Sequence, residues 1–329
     1  MRAASFAQWR AEGNELELAR VSEALADLSL ALSPVEVAAF VPLEDALSDW
    51  RTPRTTADLG PRFPVLLRAA QTELAGVRER EAFNRALVAQ IASNLRLRLP
   101  ELELPAAVLD LVPSALSRLH EFLSERHEGY DLGDDCFLKD VRLAAGWTVP
   151  CGAKVVDLRC HVSLPVSLLA ALRGRAPQVA LRALAPGKRA PWFEQHTDSR
   201  YLDEFGEAGI DNTYLRVASM LRRHPGVGGL TAYSWFYDPQ LDEISPRLSY
   251  LYRRPLERGA VLLRGRTSDY DVKNATARSR TRKRLYEAGK YKPVGHRILW
   301  PRRDILRWAD QAQWAGGGPR QIKLTATRS

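Results

Sequence analysis

A histidine and an aspartate lie two residues apart in the segment Trp192-Phe-Glu-Gln-His196-Thr-Asp198. The segment predicts a β-strand that runs into a loop, and side chains two apart on a strand share a face. His196 and Asp198 are therefore a candidate acid–base pair. The plain alternative is a histidine that is hydrogen-bonded to Asp198 at the end of a strand and has no catalytic role.

The same pair matches part of a metal site. Two histidines and one carboxylate hold the metal of non-haem Fe(II) oxygenases. His296, in the predicted strand over residues 295–300, is the candidate third ligand, and the adjacent Arg297 would bind the carboxylate of a co-substrate. One alternative prediction is therefore an oxygenase that uses Fe(II) and 2-oxoglutarate, with His196, Asp198 and His296 as ligands.

An aromatic run ends in a carboxylate at Asp238. A strand over residues 230–237 would place Tyr233, Trp235 and Tyr237 on one face, which a buried central strand also explains. Ligands of α/β folds bind at the C-terminal ends of strands, so the change from aromatic rings to Asp238 predicts a small-molecule pocket. The predicted pocket wall consists of Trp192, Trp235 and Tyr237.

Basic residues are concentrated in the last quarter of the chain. Residues 251–329 contain 20 Lys and Arg and 6 Asp and Glu, a net charge of +14, whereas the first 250 residues contain 28 and 33, a net charge of −5. Arginine and interleaved tyrosine in a predicted helix over 272–288 favour an anionic ligand, either a cofactor phosphate or nucleic acid; a solvated helix face is the plain alternative. The candidate phosphate-binding residues are Arg278, Arg280, Arg282 and Arg284.

Composition excludes several classes of protein. With 329 residues, 45% of them hydrophobic, the chain is typical of soluble globular proteins. No apolar run reaches the roughly 18 to 20 residues of a membrane span, and residues 1–20 lack the apolar core of a signal peptide, so a cytoplasmic location is expected. The three cysteines have neither disulfide nor zinc spacing: Cys136, Cys151 and Cys160.

The predicted elements divide the chain at Gly129. Residues 1–128 are rich in Ala, Leu, Glu and Arg and predict a helical N-terminal region. Residues 129–312 predict an α+β or mixed α/β domain, a mixed sheet with flanking helices, and residues 313–329 a flexible tail. Strands are predicted over 141–145, 153–162, 179–185, 192–196, 230–237, 260–263 and 295–300, and helices over 107–126, 165–175, 214–223, 246–254, 272–288 and 302–311.

From about residue 141 onward, the order of these elements resembles the GNAT-type acyltransferase superfamily: a strand hairpin, a strand ending near the site, a helix, an aromatic strand, a further helix and further strands. The resemblance covers roughly the last 190 residues. Its pyrophosphate loop has the pattern Q/R-x-x-G-x-G/A and precedes a helix N-terminus. The corresponding loop here has Gly206 and Gly209 at a different spacing, with four acidic residues, Asp203, Glu204, Glu207 and Asp211.

The resemblance implies acyl transfer from an acyl thioester, such as acyl-CoA, to an amine. His196 or Asp238 would then remove the amine proton, and Tyr233 or Ser245 would protonate the leaving thiolate. The C-terminal arginines would supply charge for the phosphates. The sequence thus favours a small-molecule acyltransferase, with the iron oxygenase and a noncatalytic nucleic-acid-binding protein as alternatives.

Overall fold

The computed structural model describes residues 4–10, 14–32, 43, 59, 62–72, 74, 76–162, 191–198, 200 and 202–315. The predicted helix over 165–175 and the predicted strand over 179–185 lie outside the described residues, as does the tail beyond residue 315. Residues 313–315, predicted as part of that tail, instead belong to the last helix.

Six strands of the described chain form one mixed sheet in the order β1-β2-β3-β4-β6-β5. The pairing of β3 with β4 is parallel, and the other four pairings are antiparallel. The strands are β1 (Thr148–Pro150), β2 (Val155–Cys160), β3 (Trp192–His196), β4 (Gly229–Ser234), β5 (Val261–Arg264) and β6 (His296–Pro301).

Helices precede the sheet and alternate with its later strands. They are α1 (Ala4–Trp9), α2 (Glu15–Leu32), α3 (Arg62–Gln71), α4 (Val77–Ser93), α5 (Leu95–Arg98), α6 (Ala106–Leu109), α7 (Val112–Ser124), α8 (Asp135–Ala144), α9 (Glu207–Arg223), α10 (Leu241–Ile244), α11 (Tyr250–Glu257), α12 (Asp269–Ala277), α13 (Arg280–Glu287) and α14 (Arg302–Ala315). The helical N-terminal region and the mixed α/β sheet confirm the predicted fold class.

The N-terminal helices pack against one another around a shared apolar cluster. Helices α2 and α4 meet at Ala86, whose carbonyl accepts a hydrogen bond of 2.9 Å from the Ser29 hydroxyl. Leu25 of α2 and Phe83 of α4 are buried in the same apolar cluster. That cluster continues into the sheet domain through Trp147 and Tyr214. The proposed boundary at residue 128 stays a prediction.

The two faces of the sheet differ in chemistry. Strand register places Asp157, Glu194 and Thr231 side by side on one face, called the polar face below. Val156, Phe193 and Leu230 alternate with them and lie on the other, apolar face, which packs against α9 and α14. Tyr214 of α9, for example, meets Trp300 of β6 edge-on, with 5.0 Å between ring centres.

One predicted strand, over 141–145, is instead the end of helix α8. The Asp134 carboxylate starts this helix by accepting hydrogen bonds from the backbone N–H groups of Cys136 and Phe137. Val141 and Ala144 then lie on the buried side at helical spacing. Five residues were too few to distinguish the two periodicities.

The aromatic strand predicted over 230–237 ends at Ser234. Its hydroxyl accepts a hydrogen bond from the N–H of Phe236 and begins a 3₁₀ turn over Trp235–Tyr237. Tyr233, Trp235 and Tyr237 therefore do not share a strand face, which corrects the prediction. A serine in front of three aromatic residues was the available signal for the turn.

The helix predicted over 272–288 is two helices, α12 and α13. The Ser279 hydroxyl accepts the N–H of Arg282 and starts the second helix, so the arginines on either side of it do not form one continuous face. Among the described helices, none combines the length and apolar character that crossing a membrane requires.

Candidate functional site

The parallel strands β3 and β4 pair over only two positions, Phe193 with Leu230 and Glu194 with Thr231. Beyond these positions β3 pairs only with β2, and β4 pairs only with β6. We call the facing residues 195–196 and 232–234 the unpaired strand ends. Extending the register by two residues brings His196 level with Tyr233 on the polar face. The unpaired strand ends therefore present an imidazole and a phenol at one end of the sheet.

His196 is held by a carboxylate from β2. Its Nε2 lies 2.9 Å from Oδ2 of Asp157, a fully buried side chain. Asp157 Oδ2 is also 2.9 Å from Nη2 of Arg142 on α8, and the Thr148 hydroxyl donates to its Oδ1. Burial would raise the pKa of Asp157, but the opposing charges of His196 and Arg142 and its hydrogen bonds hold that pKa below its ordinary value.

This geometry assigns different roles to the two ring nitrogens of His196. An ionised Asp157 fixes the proton on Nε2, so the lone pair is on Nδ1. Within the described part of the chain Nδ1 has no hydrogen-bond partner, and the side chain is 22% exposed. His196 can therefore accept a proton from a ligand at Nδ1.

Asp198, the partner that the sequence predicted for His196, is instead bound to Arg200, with 2.7 Å between Nη2 and Oδ2. Arg200 also reaches Asp140 of α8 at 2.6 Å and lies over the Phe122 ring of α7, 4.4 Å from its centre. The prediction failed because β3 ends at His196, so strand alternation no longer applies two residues later. The Arg200 contacts attach the loop after β3 to the N-terminal helices.

Asp140 is the buried end of this network. Its Oδ2 accepts a hydrogen bond of 2.9 Å from the Tyr130 hydroxyl in addition to those from Arg200. Burial raises the pKa of Asp140 even though Arg200 opposes the shift. For the same reason, burial raises the pKa of Tyr130 well above its ordinary value. Arg200 therefore compensates a carboxylate that water does not reach.

A buried lysine, Lys154, lies immediately before β2 and close to the end of β3. Its Nζ donates to the Thr197 hydroxyl and lies 4.5 Å and 5.3 Å from the ring centres of Phe205 and Phe236. No carboxylate of the described chain forms an ion pair with it. Burial accordingly lowers its pKa to about 7. Nothing in the sequence pointed directly to this amine, because a single lysine before a strand is usually exposed.

His296 lies on the opposite face of the sheet from His196. It pairs with Ser234 across β4 and β6, whereas His196 pairs with Val155 and shares the polar face with Glu194. The Nδ1 of His296 makes a 3.0 Å hydrogen bond with the Val294 carbonyl. No group of three His, Cys, Asp or Glu residues in the described ranges could hold a metal ion. The predicted iron site of His196, Asp198 and His296 is therefore wrong: they do not converge.

Asp238 and His296 together line a pocket of about 530 Å³. The carboxylate of Asp238 accepts hydrogen bonds from the backbone N–H groups of Gln240, at 3.1 Å, and Val294, at 3.0 Å. This pocket lies at the turn after β4 and at the adjoining ends of β5 and β6. Its lining residues are Asp238, Pro239, Gln240, Arg264, Thr267, Lys292, Val294 and His296.

The three residues of the predicted aromatic wall lie in separate surroundings. Trp192 begins β3 and packs with Cys160 and Leu299. Trp235 packs with Leu241 and Ala275. Tyr237 is buried, and its hydroxyl accepts a 2.9 Å hydrogen bond from Gln195. The prediction of one wall depended on the strand extending to residue 237.

The Ser245 hydroxyl and the four candidate arginines also do not form one site. The Ser245 hydroxyl accepts a 3.0 Å hydrogen bond from Arg282, whose guanidinium lies 4.8 Å from the centre of the Trp235 ring. Arg282 is buried and stabilises this turn. Arg278, Arg280 and Arg284 are exposed. Binding of nucleic acid or a phosphate by these three arginines stays a prediction.

The acidic residues around the start of α9 are mostly neutralised. Glu204 lies 3.6 Å from Arg216, Glu207 pairs with Arg254, and Asp211 lies 2.6 Å from Arg258. The backbone of Glu204 lies so close to Gly209 that only glycine fits there: a Cβ at position 209 would lie 1.9 Å from the Glu204 carbonyl oxygen. The acidic residues at the start of α9 therefore repel an anion less strongly than the sequence indicates.

No protein-family model matches this sequence, and no curated protein is similar to it. A crystal structure of an acyltransferase in complex with CoA and 10C-teicoplanin is similar in structure, with a TM-score of 0.51 over 80% of this chain and 76% of that chain. The likeness is one of fold. Sequence identity is 13%. An acyltransferase in complex with decanoyl-CoA gives a TM-score of 0.48 and 18% identity over the same shares of the two chains.

Proposed function

We propose that the protein transfers an acyl group from an acyl thioester, such as acyl-CoA, to an amine. The observation that carries this proposal is the Nδ1 of His196, which has no partner among the described residues and whose ring is fixed by Asp157 beside the unpaired strand ends. The likeness in fold to an acyltransferase with bound CoA supports the choice of reaction. The sheet order and the helix that follows β3 support a GNAT-type arrangement within that fold.

In the proposed reaction, the amine nitrogen attacks the thioester carbon as His196 Nδ1 takes its proton. The resulting imidazolium is stabilised by Asp157, which keeps the ring oriented. Collapse of the tetrahedral intermediate breaks the C–S bond, and the thiolate takes a proton from the Tyr233 hydroxyl. The His196 imidazolium then releases its proton to solvent and the Tyr233 phenolate takes one up from solvent, which restores both groups. Burial raises the pKa of Tyr233, which keeps the phenol protonated. That hydroxyl donates to the Arg266 carbonyl at 2.9 Å before substrate binds, so it must turn toward the thiolate.

The thioester would lie along the unpaired strand ends. Backbone groups there have no ladder partner across β3 and β4, so they can bind the amide groups of an extended thioester arm. Helix α9 begins nearby, and the positive end of its dipole would favour the phosphates of a nucleotide thioester. Pairing of Glu204, Glu207 and Asp211 with arginines supports this placement.

Asp238 and Ser245, the other candidates for proton transfer, receive no chemical role. Asp238 is 1% exposed, and backbone N–H groups occupy its carboxylate. Ser245 supports Arg282. The proposal therefore assigns proton transfer to His196 and Tyr233.

The test measures release of free thiol from acetyl-CoA and octanoyl-CoA, with and without a panel of primary amines. The wild-type protein should consume at least one thioester and form the amide. His196→Ala should lower kcat by about 100-fold or more while KM for the thioester changes little. His120→Ala, on helix α7 of the N-terminal region, is the matched control and should retain activity. Equal turnover in His196→Ala and wild type, or no thioester consumption at all, would refute the proposal.

A further inference from the structure

We propose that the pocket beside β5 and β6 is a second binding site, which takes a small molecule through a compact anionic group, a carboxylate or a phosphate. Its volume of about 530 Å³ is sufficient for a small metabolite. None of its lining residues belongs to the His196–Asp157 pair or to the unpaired strand ends. The proposal therefore does not depend on the proposed acyl transfer.

Two cations that have no acidic partner among the described residues define the class of ligand. Arg264, the last residue of β5, and Lys292 both line the pocket and are exposed. Throughout the part of the chain that the structure describes, neither forms an ion pair with Asp or Glu. Arg297 on the neighbouring strand β6, by contrast, pairs with Glu194 at 3.2 Å. A planar guanidinium and an ammonium facing one cavity suit a carboxylate or a phosphate.

The one carboxylate in the wall, Asp238, is already engaged. It accepts the backbone N–H groups of Gln240 and Val294, and the Gln240 side-chain amide also donates to it at 3.1 Å. These dipoles stabilise its negative charge, and the side chain is 1% exposed. Asp238 therefore shapes the wall of the pocket rather than neutralising Arg264 or Lys292.

His296 adds a directional contact. Because its Nδ1 is hydrogen-bonded to the Val294 carbonyl, Nε2 is the ring atom left for a ligand. Thr267 has its hydroxyl proton committed to the Pro293 carbonyl at 2.8 Å, so its oxygen is an acceptor. A ligand with an O–H or N–H group beside its anionic group would meet both requirements.

Isothermal titration calorimetry of the full chain at low ionic strength tests the proposal with inorganic phosphate and with succinate as separate probes. One of them should bind at a single site, and the stronger probe identifies the preferred anion. Arg264→Gln and Lys292→Gln should each weaken binding by about tenfold. Arg68→Gln removes an exposed arginine from α3 and should leave the affinity unchanged.

Two results would overturn the proposal. One is no heat of binding for either probe at millimolar concentration. The other is binding that persists in Arg264→Gln and Lys292→Gln or that Arg68→Gln abolishes, since the anion would then lie elsewhere. Thermal denaturation checks that the variants remain folded, which is expected because both side chains are exposed. Loss of this site with acyl transfer intact would separate it from the proposed reaction.

Discussion

The Nε2 of His196 and the Oδ2 of Asp157 lie 2.9 Å apart, joining the end of β3 to the middle of β2. The same carboxylate oxygen binds Arg142 of α8. Because Asp157 is fully buried, water cannot screen its charge; Arg142 compensates that charge, and the imidazole of His196 donates a hydrogen bond to it. The orientation of the imidazole thus depends on a residue contributed by the helix before the sheet.

Asp157→Asn should lower kcat for acyl transfer by about 100-fold, with little change in KM for the thioester, because the amide does not stabilise an imidazolium. Steady-state kinetics with thiol detection provides the measurement. Thr148→Val removes only the hydroxyl that donates to Asp157 and should reduce kcat far less. A change confined to KM in Asp157→Asn would mean that Asp157 shapes the binding site and does not orient the base.

Lys154 should make folding stability rise with pH. The pKa of Lys154 is about 7 in the folded protein, against an ordinary value of 10.5 in the unfolded chain. Between these two pH values the unfolded chain binds one more proton than the folded protein. The free energy of unfolding therefore increases as pH rises through this range. The resulting change in the free energy of unfolding is at most about 5 kcal/mol. Below about pH 7 the destabilisation is fully present, since the ammonium is then buried.

Lys154→Met should therefore stabilise the protein at pH 7 and reduce the gain in stability between pH 7 and pH 9.5. Urea unfolding at the two pH values measures both effects. Lys283→Met, at an exposed lysine of α13, should leave the pH dependence as in the wild type. An unchanged pH dependence in Lys154→Met would show that the amine is not buried as an unpaired base.

Arg200 should contribute more to stability than an exposed arginine with a similar ion-pair distance. Arg200→Lys loses the paired contacts with Asp140 and leaves that buried carboxylate poorly compensated, at a cost of about 2 to 4 kcal/mol. Arg222→Lys changes an exposed pair with Asp310, also at 2.6 Å, and should cost less than about 1 kcal/mol. Denaturant unfolding compares them, and equal losses would contradict the proposed anchoring role of Arg200.

Strand β3 shows how far the sequence could predict the site. Its bounds match the predicted strand over 192–196 because an aromatic and polar segment is bounded by proline and by a polar loop. The partner of His196 was missed, since Asp157 reaches it through antiparallel register with β2. That register is set by tertiary packing, and no local spacing in the sequence reports it.

The errors at Tyr237 and Arg282 have a related cause. Both predictions extended a regular element past a serine whose hydroxyl accepts a backbone N–H and begins a new turn, Ser234 in one case and Ser279 in the other. A hydrogen bond from the backbone to a serine side chain competes with continuation of the strand or helix. Which of the two forms depends on the surfaces against which the following side chains can be buried. Lys154 was missed for a different reason, because its burial depends on Phe205 and Phe236, which are distant in sequence.

Gly209→Ala should destabilise the start of α9, because the added Cβ would lie 1.9 Å from the Glu204 carbonyl oxygen, a backbone atom. We expect a loss of about 2 to 4 kcal/mol, together with a higher KM for the thioester if the α9 N-terminus binds its phosphates. Gly206→Ala is the matched control: that residue has an extended backbone and no atom within 4 Å of an added Cβ. Thermal unfolding and thioester titration of both variants measure the difference. Equal behaviour would show that the loop yields to the methyl group and that the contact with Glu204 does not hold the helix start in place.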